Sequence, residues 1–260
     1  MSTYDATAPR VHPMGLGDIL DTTFSLYRDN FVLFAGIAAV IVIAQAILRA
    51  LVNAGTSGIL NYLLGFAITF AFGALLTGAL ARAAAARYLG RPMTITEAFA
   101  GISGAVFTTL IVTSIIYGLV VGIGLVLLVI PGVYFFVRFI FVPQAVVLEG
   151  KSVGAAFGRS SQLVQGSWWR VFGIALVVYL IVAIIIGVVA SIVVGGLVVG
   201  SVVGAAIAAV VVSAILGILI EPVQYIAMTL LYFDLRIRKE CFDLQNLANT
   251  LDASPGAQFP

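Results

Sequence analysis

Long, continuously apolar segments dominate the chain, at about 31–53, 59–81, 104–130, 132–149, 171–195 and 202–233. Most reach the roughly 20 residues that a helix needs to cross the bilayer hydrocarbon. Strands of a membrane barrel would alternate apolar and polar positions over about ten residues. These segments do not alternate, and a helix is the other structure that satisfies its own backbone in lipid. The pattern predicts an all-α integral membrane fold with six transmembrane helices. The longest stretch without a charge, Val171–Ile220, has 50 residues and room for two crossings. Composition agrees: 62% of residues are apolar and 9% charged, against roughly 25% charged in soluble domains. A soluble globule, a nucleic-acid binder and a disordered chain are excluded.

Shorter segments of helical period precede these spans. In Met14–Phe31 the apolar residues Leu16, Ile19, Leu20, Tyr27 and Phe31 recur three or four apart, or at multiples of that spacing, with Asp18, Asp21, Ser25 and Arg28 on other faces. Lys151–Trp168 repeats the design with Val153, Ala156, Phe157, Val164 and Trp168. At this offset of 137 residues Gly17 matches Gly154, Leu26 matches Leu163, Gly36 matches Gly173 and Ile37 matches Ile174. A shorter copy, Met93–Gly101, has Thr94 and Glu97 at capping-box spacing. The expected organisation is three pseudo-repeated hairpins, each preceded by an interfacial amphipathic helix. The repeats are 14–91, 92–150 and 151–240, between a flexible tail (1–13) and a cytoplasmic tail (241–260). Chance similarity among apolar segments is the alternative.

The cations orient the expected bundle. Eleven of the 13 basic residues fall on one side of the spans, among them Arg10, Arg28, Arg82, Arg87, Arg91, Lys151, Arg159 and Arg170. The opposite loops, near 54–58, 131–132 and 196–203, carry no charge. By the positive-inside rule both termini are cytoplasmic. Arg28, Arg159, Arg170, Arg236, Arg238 and Lys239 are read as lipid-headgroup or topology anchors. Tyr27, Phe31, Tyr88, Trp168, Trp169, Tyr232 and Phe233 are expected at the same interface, where aromatic rings favour headgroup depth. The expected partners are membrane lipids and an unidentified protein docking from the cytoplasm or within the membrane. No nucleic acid is expected, and the oligomeric state is open.

Two charges fall deep inside spans, where each is costly unless compensated. Arg138 lies 11 residues before Glu149, and Glu221 lies 13 residues before Asp234. At 1.5 Å per residue the two depths are roughly 16 and 20 Å. An intramembrane Arg138–Glu221 ion pair is therefore expected, either locking two helices in register or lying on a substrate, ion or proton path. Pro143 and Pro222 interrupt the same two spans. With Gln144 and Gln224 they are candidates for a cavity or hinge. Gln45, Gln144 and Gln224 are also expected to bond across helices. Gly196, Gly200 and Gly204 form two GxxxG steps, a close-contact face or part of a turn.

Chemistry-bearing motifs are absent. GxxxxGK[ST], HExxH and GxSxG do not occur. One histidine, His12, and one cysteine, Cys241, exclude a histidine-rich metal site and a disulfide framework. No catalytic residue, metal or cofactor is expected. Cys241 follows a basic cluster and is either a palmitoylation site or a bystander thiol. Asp234 with Arg238, and Arg236 with Glu240, have i,i+4 spacing.

Three segments carry a family resemblance: Gly17-Asp-Ile-Leu-Asp-Thr-Thr-Phe-Ser-Leu-Tyr-Arg; Leu148-Glu-Gly-Lys with Ala155-Ala-Phe-Gly-Arg through Gly173; and Leu230-Leu-Tyr-Phe-Asp-Leu-Arg-Ile-Arg-Lys-Glu-Cys-Phe-Asp-Leu. In this order they resemble the bacterial family named for the membrane domain of glycerophosphoryl diester phosphodiesterase; Cys241 stands where that family usually has glycine. The resemblance implies a multi-pass protein of the bacterial inner membrane. The chain has no room for the catalytic barrel fused to some members, so the phosphodiesterase activity does not transfer with the name. The expected function is a non-catalytic membrane scaffold or accessory subunit linked to lipid or envelope metabolism. The alternative is a small-solute or lipid transporter with a midplane cavity near Arg138 and Glu221. An enzyme is a weak third, because no nucleophile–base pair is visible.

Overall fold

A computed structural model describes residues 13–197 and 202–240, with the backbone alone within 192–210. All regular structure among the described residues is helical: α1 (Leu16–Asp29), α2 (Phe31–Gly55), α3 (Gly58–Tyr88), α4 (Ile95–Ala100), α5 (Gly104–Leu127), α6 (Val129–Arg138), α7 (Val142–Glu149), α8 (Val153–Val164), α9 (Trp168–Leu197) and α10 (Val202–Glu240). Six helical stretches are long and apolar enough to cross a membrane, with α6 and α7 together forming the fourth. The protein is a multi-pass, membrane-type helical bundle. Arg10, His12, Gly200 and Cys241, residues 1–12 of the expected tail 1–13, and the expected tail 241–260 lie outside the described residues.

Helices occupy all three segments expected to be amphipathic. α4 opens with the expected capping box: Glu97 N–H donates to Thr94 Oγ1 (3.3 Å), and Thr94 N–H donates to Glu97 Oε2 (2.7 Å). That backbone hydrogen bond, with the hydroxyl contact, holds the Glu97 carboxyl below its ordinary value. α8 and α9 begin 137 residues after α1 and α2, at the offset read from the sequence. α1 is tied to α10 at both ends. Met14 N–H donates to Asp234 Oδ1 (2.8 Å), and Tyr27 Oη donates to the Leu219 carbonyl (2.7 Å).

The helices converge at one end and part at the other. α3 is central and packs on α2, α5, α7 and α10. Its run of small residues through Gly78, Ala79, Ala81 and Ala83–Ala85 is buried and admits neighbouring helices closely. Around it the core draws Leu33–Ile41 of α2, Val171–Val178 of α9, Ile226–Leu235 of α10 and nearly all of α7. Tyr232 and Phe233, expected at headgroup depth, belong to this core and are 0% and 1% exposed. At the far end Ile47, Leu51, Tyr62, Leu119 and Ile184 are exposed. Lipid tails are as apolar as leucine, so this exposure is not penalised in a bilayer.

Two expectations about turns are corrected. The loop placed at 131–132 is a single residue, Leu128, and Pro131 and Gly132 lie in the first turns of α6. There α5 and α6 touch backbone to backbone, and a Cβ on Gly124 would stand 2.8 Å from Gly132 Cα. Pro222 does not interrupt its helix, because α10 runs through it. The missing N–H affects only the local carbonyls, and Tyr27 supplies a donor to the neighbouring Leu219 carbonyl. Pro143, by contrast, does mark a break. It stands in the first turn of α7, and residues 139–141 separate α7 from α6. The Ser160 hydroxyl of α8 repairs that break: it donates to the Arg138 carbonyl (2.9 Å) and accepts from Phe141 N–H (3.2 Å). Backbone groups freed at a helix end are thus satisfied by a side chain.

Candidate functional site

The converging end of the bundle holds a buried ionic cluster built from α7, α8 and α10. The first carboxylate is Glu149, the last residue of α7, with 1% of its side chain exposed. The helix stops there because Gly150 takes a left-handed conformation (φ 62°), which glycine adopts without strain. The turn carries the chain into α8, and Arg159 reaches back. Its Nε lies 2.9 Å from each Glu149 oxygen. Tyr232 Oη donates to Glu149 Oε1, and Arg236 Nη1 lies 3.6 Å from the same oxygen. Arg159 also bonds both oxygens of Glu240, with Nη2 2.9 Å from Oε2. Arg236 Nε donates to Glu240 at 3.3 Å. Burial disfavours the charge on Arg159, but its bonds to Glu240 and Glu149 outweigh this and hold its pKa above the ordinary arginine value. A cavity of about 530 Å³ opens beside the cluster, lined by Lys151, Gly158 and Gln162 as well as the charged residues.

A second node lies on the opposite face of α10. Asp234, 0% exposed, accepts from Met14 N–H, from Arg170 Nη2 (2.9 Å) and from Arg238 Nε (3.0 Å to each oxygen). Arg170 and Arg238 also donate to the Met14 carbonyl, the latter at 3.0 Å. One carboxylate thus fixes the start of α1, the start of α9 and the end of α10. Lys239 caps the end of α8, donating to the carbonyls of Gln162 (3.0 Å) and Gln165. A cation there also complements the negative pole of the helix dipole.

These contacts revise the reading of the basic residues. Arg159, Arg170, Arg236, Arg238 and Lys239 are expected as lipid-headgroup or topology anchors; in the structure all five are engaged by protein carboxylates or carbonyls. A guanidinium gains more from a fixed buried carboxylate than from a mobile exchangeable one. The Arg28 side chain is mainly exposed (80%), and its Nε lies 3.2 Å from Asp29 Oδ1. The i,i+4 pairs Asp234–Arg238 and Arg236–Glu240 form as their spacing implies.

The expected Arg138–Glu221 pair does not form. Arg138 Nη1 bonds Tyr134 Oη at 2.5 Å. Glu221 is half-buried on α10, and both its Oε1 and Val42 of α2 border Gly217. Depth arithmetic treats the fourth span as one straight helix. The break at 139–141 redirects it, so that α6 packs on α5, α8 and α9 while α10 packs on α1, α2, α3, α8 and α9. Pro143 and Gln144 lie on α7, which packs on α3, α5 and α8, whereas Pro222 and Gln224 lie on α10. Gln144 is 2% exposed, and its Oε1 has no hydrogen-bond partner among the described residues. Gln224 is half-buried. No group of three or more metal-ligating side chains occurs among the described residues.

A family described as a domain of unknown function, DUF7847, matches residues 89–235. The chain belongs to this family. The matched span holds Glu149, Arg159, Arg170, Tyr232 and Asp234, and it ends just before Arg236, Arg238 and Glu240. No curated protein and no solved structure matches the chain.

Proposed function

We propose that this protein is a non-catalytic membrane scaffold or accessory subunit linked to lipid or envelope metabolism. The observation that carries the reading is the separation of Arg138 from Glu221. A transporter would use a polar cavity between them, and none of the described cavities is lined by both. Arg159, Arg170, Arg236, Arg238 and Lys239 are committed to contacts within the chain, which suits a rigid platform better than a moving gate. The resemblance to the glycerophosphoryl diester phosphodiesterase membrane domain supports the link to lipid metabolism. The common 137-residue offset of α1–α2 and α8–α9 supports a repeated hairpin plan with α1, α4 and α8 at the interface.

The reading is tested by purifying the chain in native lipid and identifying what accompanies it. A partner protein recovered in fixed ratio is the expected result. Glu221→Gln should leave the thermal midpoint unchanged or raised, because a neutral amide is cheaper in hydrocarbon than a carboxylate. It should also leave proteoliposomes as impermeable as the parent. A solute flux that Glu221→Gln abolishes would replace the scaffold with a transporter.

In the same reading the protein sits in a bacterial inner membrane with both termini in the cytoplasm. The basic residues around the short helices support this orientation. A cysteine introduced as Lys151→Cys should react with a membrane-impermeant maleimide only after cell lysis. Labelling in intact cells would reverse the orientation.

A further inference from the structure

An apolar groove of about 570 Å³ runs between α6 and the start of α9, lined by residues that include Ile130, Val133, Tyr134, Trp168, Trp169 and Phe172. That volume is typical of a small-ligand site. Its aromatic wall is well ordered by contact. Trp168 stacks on Tyr134 (centroids 6.1 Å apart) and on Phe172 (5.2 Å), and its Nε1 donates to the Tyr134 carbonyl at 3.4 Å. Trp169 stands open to the surroundings, 78% exposed.

The groove has a charged rim. The Arg138 guanidinium bonds the hydroxyl of Tyr134, with its carbon 5.7 Å from the ring centroid. Arg159, Arg170, Arg236 and Arg238 each meet a carboxylate. Arg138 meets none among the described residues. A guanidinium on an apolar membrane helix without a counter-charge calls for an anion from outside the chain, and its fork of donors matches a phosphate well.

We infer that this groove holds one acyl chain of an anionic phospholipid whose phosphodiester headgroup pairs with Arg138. Three features select that occupant over a free anion or a protein segment. The walls are apolar, as an acyl chain requires; Arg138, bonded to the wall residue Tyr134, places a positive charge beside them; and paired tryptophans favour the headgroup boundary. The inference goes beyond the scaffold reading and does not depend on whether a partner protein co-purifies, so either can fail alone.

Trp168 and Trp169 are the only tryptophans of the chain, so intrinsic fluorescence reports on this groove alone. The full chain would be reconstituted in phosphatidylcholine vesicles. Those vesicles would contain a graded fraction of lipid with brominated acyl chains, either phosphatidylglycerol or phosphatidylcholine; bromine quenches tryptophan on contact. Brominated phosphatidylglycerol should quench at about fivefold lower mole fraction, the advantage expected of one basic residue with an anionic lipid. Arg138→Gln should abolish that preference and leave the phosphatidylcholine curve unchanged, which also shows that the variant is folded. Inorganic phosphate should not compete. Equal quenching by the two lipids, or a preference that survives Arg138→Gln, would overturn the inference. Competition by inorganic phosphate would reassign the rim to a soluble anion. Absence of quenching by either lipid would mean that a second copy or another protein fills the groove.

Discussion

Glu149→Gln should lower the unfolding free energy by about 3–5 kcal/mol, the usual cost of removing one partner from a buried charge network. The carboxylate receives Arg159 at 2.9 Å on both oxygens, the Tyr232 hydroxyl, and the more distant Arg236 at 3.6 Å. Glutamine retains one acceptor oxygen but turns an amide donor toward cations. Arg236, 3% exposed, then loses the carboxylate that lies 3.6 Å from its Nη1 and keeps its bond to Glu240. The measurement is reversible unfolding in mixed micelles or nanodiscs. Glu149→Leu with Arg159→Met removes both charges of the Glu149–Arg159 pair. That double variant should be more stable than the sum of its single losses predicts, by ~0.5–3 kcal/mol, as residues in one network couple. If Glu149→Gln shifts stability by less than ~0.5 kcal/mol, the cluster is solvated and the inward reading of Arg159 and Arg236 is wrong.

Asp234→Asn should have a loss of similar size, about 3–5 kcal/mol, with a distinct local signature. Asp234 is the common acceptor for Met14 N–H, Arg170 and Arg238, so the substitution unties the start of α1 from α9 and α10. Hydrogen exchange over residues 14–29 should rise at a denaturant level where α3 and α9 stay protected. Arg238→Gln should produce a smaller effect, because Arg170 still pairs with Asp234 and still bonds the Met14 carbonyl. Unchanged exchange in α1 after Asp234→Asn would show that Tyr27 and the α1–α10 packing hold the helix without the carboxylate.

The two nodes differ in how visible they are in the sequence. Asp234–Arg238 and Arg236–Glu240 are four residues apart on one helix, and helical period alone places them together. Glu149 with Tyr232 spans 83 positions, and Asp234 with Arg170 spans 64. Nothing local joins those residues, although the resemblance segments contain Glu149, Arg159, Arg170, Tyr232 and Asp234 in full. The basic members are legible as a positive bias on one side of the spans, which points to headgroup or topology anchors. Positive-inside counting concerns which side a cation occupies, not which partner it meets there. Ser160 was equally silent, since a hydroxyl that bridges a helix break resembles any other serine until the break is seen.

The failed Arg138–Glu221 pair shows the same boundary from the other side. Hydropathy and residue rise are one-dimensional quantities, so they fix which segments enter the membrane and how long they are. By that route the sequence alone determined six apolar helices, the α4 capping box and the positions of the short helices between spans. Which direction a side chain faces around its helix, and which helix stands there, depends on packing among neighbours. Tertiary structure alone decided that α6 turns aside at residues 139–141, leaving Arg138 beside Tyr134 rather than Glu221. It likewise decided that the cations of α8, α9 and α10 turn inward, because a buried carboxylate held at fixed distance compensates their desolvation better than solvent or lipid does.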